Sequence, residues 1–268
     1  MRSPRQIFDD NIRPADLLLQ VYRLLDTDDH LQTDGELVEA LRAVVKANAK
    51  EDLMLVYNEI FLGLIREGAQ MPRHTLKRAS LAHLLRQAVV ASCTGLDTYL
   101  PALLRTNLPI AIRALGRDFV PRDDTRVNEY LKDLTFTLDD TLRLLEDPNA
   151  AEFVSGKVLN FANFSYLSSN KGVHIVGRLL GLSKPWDQIA EHLKRDKKEL
   201  TSILDETVRR RNDIVHRADR SQDDPQGEPQ EVAFAWARQA VDTIQHICLA
   251  LDELVAARIK EFETAIAA

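Results

Sequence analysis

With 268 residues, 45% of them hydrophobic, the chain is long enough to bury a sizeable core as one large or two small domains. Only ten glycines and ten prolines argue against long disordered tracts, and a net charge of −6 excludes a polybasic nucleic-acid binder. No run approaches the 18 or so apolar residues of a membrane span, and no apolar core follows the charged start Met-Arg-Ser-Pro-Arg, so a cytoplasmic protein is expected.

Residues 1–72 read as a helical preface. Pro14 suits the first turn of a short helix running through Leu25. Residues 34–36 open a second helix with Leu37, Leu41 and Val44/Val45 on one face. Residues 51–66 are expected as a third, with Leu53, Val56/Tyr57, Ile60/Phe61 and Leu64 on its stripe. Gly68 and Pro72 punctuate before the next element. Three short amphipathic helices on so short a linker are expected to cap the domain that follows, residues 73–268.

From residue 72 a long helix is predicted to about 107, apolar at Leu81, Leu84/Leu85, Ala88/Val89, Cys93 and Leu96, with a kink at Pro101. A second long helix is expected over 126–146, stopped by Asp147-Pro148-Asn149. Residues 153–170 form an aromatic-rich stretch (Phe153, Phe161, Phe164, Tyr166). Two short helices follow over 171–182 and 185–193, then one from Lys197 into the stretch discussed next. Residues 223–229 are a loop, and the last helix spans 232–265. No segment shows the period-two alternation of a strand, so the expected fold class is all-α. Cys93 and Cys248 sit in apolar helical patterns and read as core residues.

The sequence concentrates its chemistry in Arg209-Arg210-Arg211-Asn212-Asp213-Ile214-Val215-His216-Arg217. An apolar series at Leu200, Ile203/Leu204, Thr207/Val208 and Val215 makes this a helix. Between Lys171 and Arg220 twelve Lys or Arg stand against eight Asp or Glu, a locally basic region in an acidic chain. Asn212 and His216, four apart, are surface neighbours. Arg211 and His216, five apart, are separated by about 140° around the axis. They do not share a face, so a single-chain site would need the arginine to curl back, whereas two copies about a twofold axis could bring Arg and His into one cleft.

Arg, a polar residue, three more and then His, at the end of a helix in an all-helical chain, resembles the signature of the HEPN domains. This is the "higher eukaryotes and prokaryotes nucleotide-binding" superfamily, and the RiboL-PSP-type branch is the nearest. The upstream helix is similar too, since Asp97 stands ahead of Tyr99-Leu100 where HEPN ribonucleases often carry an acidic residue. The resemblance covers residues 73–268. It implies an all-α helical bundle, here with an N-terminal helical extension, and a metal-independent endoribonuclease without cofactor. It further implies a homodimer formed through the motif helix, and a place in antiviral defence or a toxin system under an inhibitor or sensor partner protein.

The chemistry fits such a site. RNA carries a 2′-hydroxyl beside each phosphodiester, and a histidine titrating near neutrality can take its proton. Arginine stays charged and offers a planar fork to phosphate oxygens. The resemblance implies His216 as base or acid, Arg211 on the scissile phosphate, Asn212 orienting the histidine or the phosphate, and Asp97 positioning Arg or His. Arg210, Arg217 and Lys171 are candidate RNA contacts. The bland alternative is that Arg and His at a helix end only complement its dipole. Other classes lack support: there is no phosphate loop, no dinucleotide fingerprint, no H-E-x-x-H, no G-x-S-x-G and no zinc spacing. A non-catalytic helical dimer binding a partner, nucleotide or RNA is the competing expectation.

Overall fold

The computed structural model describes residues 2–26, 31–71, 73–146, 149–161 and 167–268. Pro72, Asp147, Pro148, Phe164 and Tyr166, to which the sequence assigned boundaries or aromatic character, lie outside the described residues. The fold is all-α apart from one small antiparallel sheet, and among the described residues no helix is long and apolar enough to cross a membrane.

The first helix, α1 (Pro4–Leu25), begins ten residues before Pro14. Ser3 explains why: its hydroxyl accepts from Gln6 N–H while the Gln6 side chain accepts from Ser3 N–H, a capping box with Pro4 at the first helical position. Pro14 therefore sits inside the helix, with its side chain exposed. Phe8, Ile12, Ala15, Leu19 and Tyr22 form its buried stripe and share one core with the central and last helices.

Residues 51–66 are not a helix. They form a hairpin, β2 (Leu53–Tyr57) against β3 (Leu62–Arg66), with the two-residue β1 (Leu31–Gln32) on the other side of β2. The reason lies in β2, where Leu53 and Leu55 face α2 (Glu36–Val44) and join Val38 in a small separate cluster. Met54 and Val56 point the other way, into the main core. A strand buried on both faces shows no alternation and mimics a helix segment in sequence. Asn58 closes the turn, accepting from Ile60 and Phe61 N–H and donating to the carbonyls of Arg23 and Leu24, which ties the hairpin to the end of α1.

The central helix α3 (Arg78–Leu115) runs eight residues past the expected end and carries both Pro101 and Pro109. It ends at Gly116, whose φ of +53 suits a glycine stop. Residues 126–146 divide into α4 (Thr125–Leu131) and α5 (Leu138–Glu146). The break has a local cause: Thr137 N–H donates to Asp140 and Asp140 N–H to the Thr137 hydroxyl, so a new helix starts there. Then come α6 (Ala150–Phe161), α7 (Asn170–Leu179), α8 (Pro185–Leu193), α9 (Lys197–Arg217) and α10 (Phe234–Ala267).

α3 lies at the centre, with α1, α6, α9 and α10 packed around it. Phe8 meets Tyr99 edge-on at 5.5 Å, and the Tyr99 hydroxyl donates to Asp252 on α10 at 3.0 Å. Cys93 and Cys248 are free and buried in this core.

Candidate functional site

The three consecutive arginines of α9 are about 100° apart around its axis, so each meets a different environment. Arg209 is exposed. Arg211 turns toward α3, where its Nη2 lies 3.2 Å from Asp97 Oδ2. The contact is single: Arg211 Nε and Asp97 Oδ1 are both buried and, among the described residues, without a hydrogen-bond partner. Burial pushes the Asp97 carboxyl above its ordinary value, and the Arg211 charge pulls it back only part of the way. The same guanidinium acts on Cys93, whose thiol burial pushes up to about 12 against the pull of the arginine. Arg211 thus stands among an anion, a neutral thiol and solvent, with donors unspent.

Arg210 is spent. Its Nε and Nη2 reach the two oxygens of Asp219 at 3.2 Å each, and Nη2 also donates to the carbonyls of Gln230 (3.3 Å) and Glu231 (2.6 Å). Its guanidinium lies 4.5 Å over the Trp236 ring, whose Nε1 donates to Glu206. Arg210, a candidate RNA contact in the sequence, here clamps the start of α10 and the residues before it to the motif helix.

Asp219 was not singled out by the sequence. It is fully buried and also accepts from Arg86 Nε of α3 at 2.7 Å, while Arg86 Nη2 donates to Gln230 O at 2.7 Å. Ala218 and Asp219 both take left-handed conformations (φ +51 and +63) to end α9, and Asp219 N–H donates to Asp213 O. Non-glycine residues in that region are strained, and the two arginines that converge on the carboxylate offset the strain. The signal available in sequence was the Ala-Asp following the motif where a glycine would ordinarily end a helix.

His216 and Asn212 lie on the exposed side of α9, and among the described residues neither side chain makes a hydrogen bond. Arg217 is exposed and paired with Asp213 at 2.6 Å, one turn back. Lys171 is exposed at the start of α7, next to Asn170, whose Nδ2 donates to Asp205. Asp205 precedes His216 by eleven residues, about 16 Å along the helix. The structure therefore brings together Arg211 and Asp97, leaves His216 and Asn212 on the open face, and sets Lys171 toward the other end. His174 is also occupied: its Nε2 lies 2.8 Å from Asp124, which caps α4 and receives Arg178 as well.

Arg211 faces α3 and His216 faces solvent, as the 140° separation required. No family model, curated protein or solved structure matches this chain.

Proposed function

We propose that the protein is a metal-independent endoribonuclease of HEPN type that works as a homodimer through α9. The observation that carries this reading is the Arg211–Asp97 contact: an arginine held by one 3.2 Å bond to a partly desolvated carboxylate, on the same helix as an exposed His216 whose side chain makes no hydrogen bond among the described residues. Such an arginine is oriented without being consumed, and a phosphate oxygen can take the Nη donors that remain.

The reaction asks for two proton movements and one charge clamp. A neutral His216 takes the proton of the 2′-hydroxyl as O2′ bonds to phosphorus. The P–O5′ bond breaks, and a protonated imidazole returns a proton to the leaving O5′. The products are a 2′,3′-cyclic phosphate and a 5′-hydroxyl. Arg211 neutralises the charge that gathers on the non-bridging oxygens, and Asp97 keeps its guanidinium from swinging away. With two copies across α9, the second supplies the histidine or arginine that one chain directs elsewhere, and both proton carriers are then at hand. An inhibitor or sensor protein would act by covering or separating this face, in keeping with a toxin or antiviral-defence role.

Incubating purified protein with mixed RNA in EDTA, beside His216→Ala and a matched DNA, tests the reading. Expected are cyclic-phosphate ends from RNA alone, reduced by about 10²-fold or more in the variant. Cleavage that survives His216→Ala overturns it. A second reading, a non-catalytic helical dimer that binds a partner, has one observation in its favour, the uncovered apolar side of α5.

A further inference from the structure

α5 is docked by its polar side. At 100° per residue, Leu138, Leu142 and Leu145 lie within about 60° of one another around its axis, and they are 75%, 52% and 80% exposed. The opposite face carries Asp140, which is buried and bonded to Lys157 on α6 at 2.7 Å. Arg143 leans over the ring of Phe153, also on α6, at 4.8 Å. Polar groups, with the half-buried Leu144, thus fix the helix to the bundle while Leu138, Leu142 and Leu145 meet water, the reverse of an ordinary surface helix. Phe136, just before the helix, is exposed as well. So regular a stripe marks an interaction face rather than scattered exposure.

Spacing and charge name the occupant. Steps of four and then three between the leucines are the d-a-d spacing of a helix that pairs with another helix. Asp139 and Glu146, each directly following a leucine and one heptad apart, line one flank. Both are exposed, and neither forms an ion pair among the described residues. A second copy laid antiparallel about a twofold would set Leu138 against Leu145 and, with them, Asp139 against Glu146, acid on acid. A nine-residue helix is moreover only about 14 Å long, short for the roughly 800 Å² that each side of a stable dimer covers. A basic partner meets neither objection.

We infer that the leucine face of α5 seats an amphipathic helix of a partner protein, with apolar residues at heptad spacing and Lys or Arg placed against Asp139 and Glu146. The inference is independent of the nuclease reading, because it uses no residue of the α9 site and its test reads no cleavage.

The probe is a fluorescein-labelled synthetic helix of about three heptads, leucine at a and d and lysine at e and g, where like charge keeps it from pairing with itself. Its companion carries glutamate in place of lysine. Titrated with the full chain, the lysine probe should give a saturable rise in anisotropy and the glutamate probe should bind at least about tenfold more weakly. L138E/L145E should abolish binding, and D139K/E146K should invert the preference. Melting temperatures close to wild type verify both folds, since these side chains are exposed. Equal binding of the two probes, no binding of the lysine probe, or binding retained in L138E/L145E would each overturn the inference. So would sedimentation showing wild-type self-association that L142E removes, which assigns the face to a second copy.

Discussion

Arg86 of α3 and Asp219 beyond the end of α9 meet at 2.7 Å with side-chain exposures of 8% and 0%, although 133 residues separate them in the chain. Removing one partner of a buried, hydrogen-bonded pair leaves the other charge unanswered, typically at 3–5 kcal/mol. Asp219→Ala strands two guanidiniums, whereas Arg86→Met leaves the carboxylate with Arg210. Urea denaturation should therefore show a loss of about 3–5 kcal/mol for Asp219→Ala and a smaller one for Arg86→Met. The double variant should lose less than the sum. Additive losses would mean that the two side chains are not coupled.

The adjacent arginines of α9 should separate cleanly. Arg210→Lys gives up paired bonds to Asp219 and stacking on Trp236, so stability falls by roughly 1–3 kcal/mol. Arg211→Lys gives up one contact to a partly exposed carboxylate, and stability should stay within about 1 kcal/mol. On the proposed reading, RNA cleavage falls by about 10²-fold in Arg211→Lys despite that intact fold. The reverse pattern would exchange the roles assigned here.

Ala218 ends α9 with φ +51 and ψ +39, where an L side chain is strained and glycine is not. Ala218→Gly should be neutral or stabilising by up to about 1 kcal/mol, the relief of strain outweighing the added freedom of the unfolded chain. A loss above that size in thermal or urea melts would show that the left-handed turn is not formed.

Acid stability should trace in part to Asp140. The Lys157 ammonium, then the Thr137 N–H, hold its carboxyl at about 2, below the ordinary 3.8. A depressed folded value means the contribution is complete above the ordinary pKa and is lost as pH falls through the folded one. Wild type should thus melt higher than Asp140→Asn at pH 5, with the gap closing as the pH falls from about 4 to about 2. A gap unchanged at pH 2 would remove this pair from the acid response.

The helices legible in sequence were those with one buried stripe and one wet face. α8, α9 and α10 follow their apolar spacing within a residue or two. β2 was illegible because both its faces are buried, the two clusters it serves being folded from distant parts of the chain. α3 outran its prolines because a helix at the centre of a bundle is held by packing on every side, which outweighs two missing backbone bonds. At the site, Asp97 was found through a family resemblance and indeed meets Arg211. The ties of Arg210 to Asp219 and the residues before α10 were not legible, because adjacency in sequence says nothing about which of three radial directions is enclosed. Asp219 escaped notice because the Ala-Asp in place of a glycine stop gives no hint of Arg86, its partner 133 residues away.

The burial of α1 has a consequence for synthesis. This helix is made well before α10, yet Tyr22 stacks on Phe234 and Asp16 pairs with Arg238, both on α10. The apolar side of α1 therefore waits for some 210 residues to be translated before its enclosure is complete, roughly 10 to 40 s at ordinary elongation rates. Through that interval the stripe of Phe8, Ile12 and Leu19 lacks the cover that α10 gives it. The nascent chain is then a natural client for chaperones that hold apolar helices, and translation speed between α3 and α10 becomes a determinant of yield.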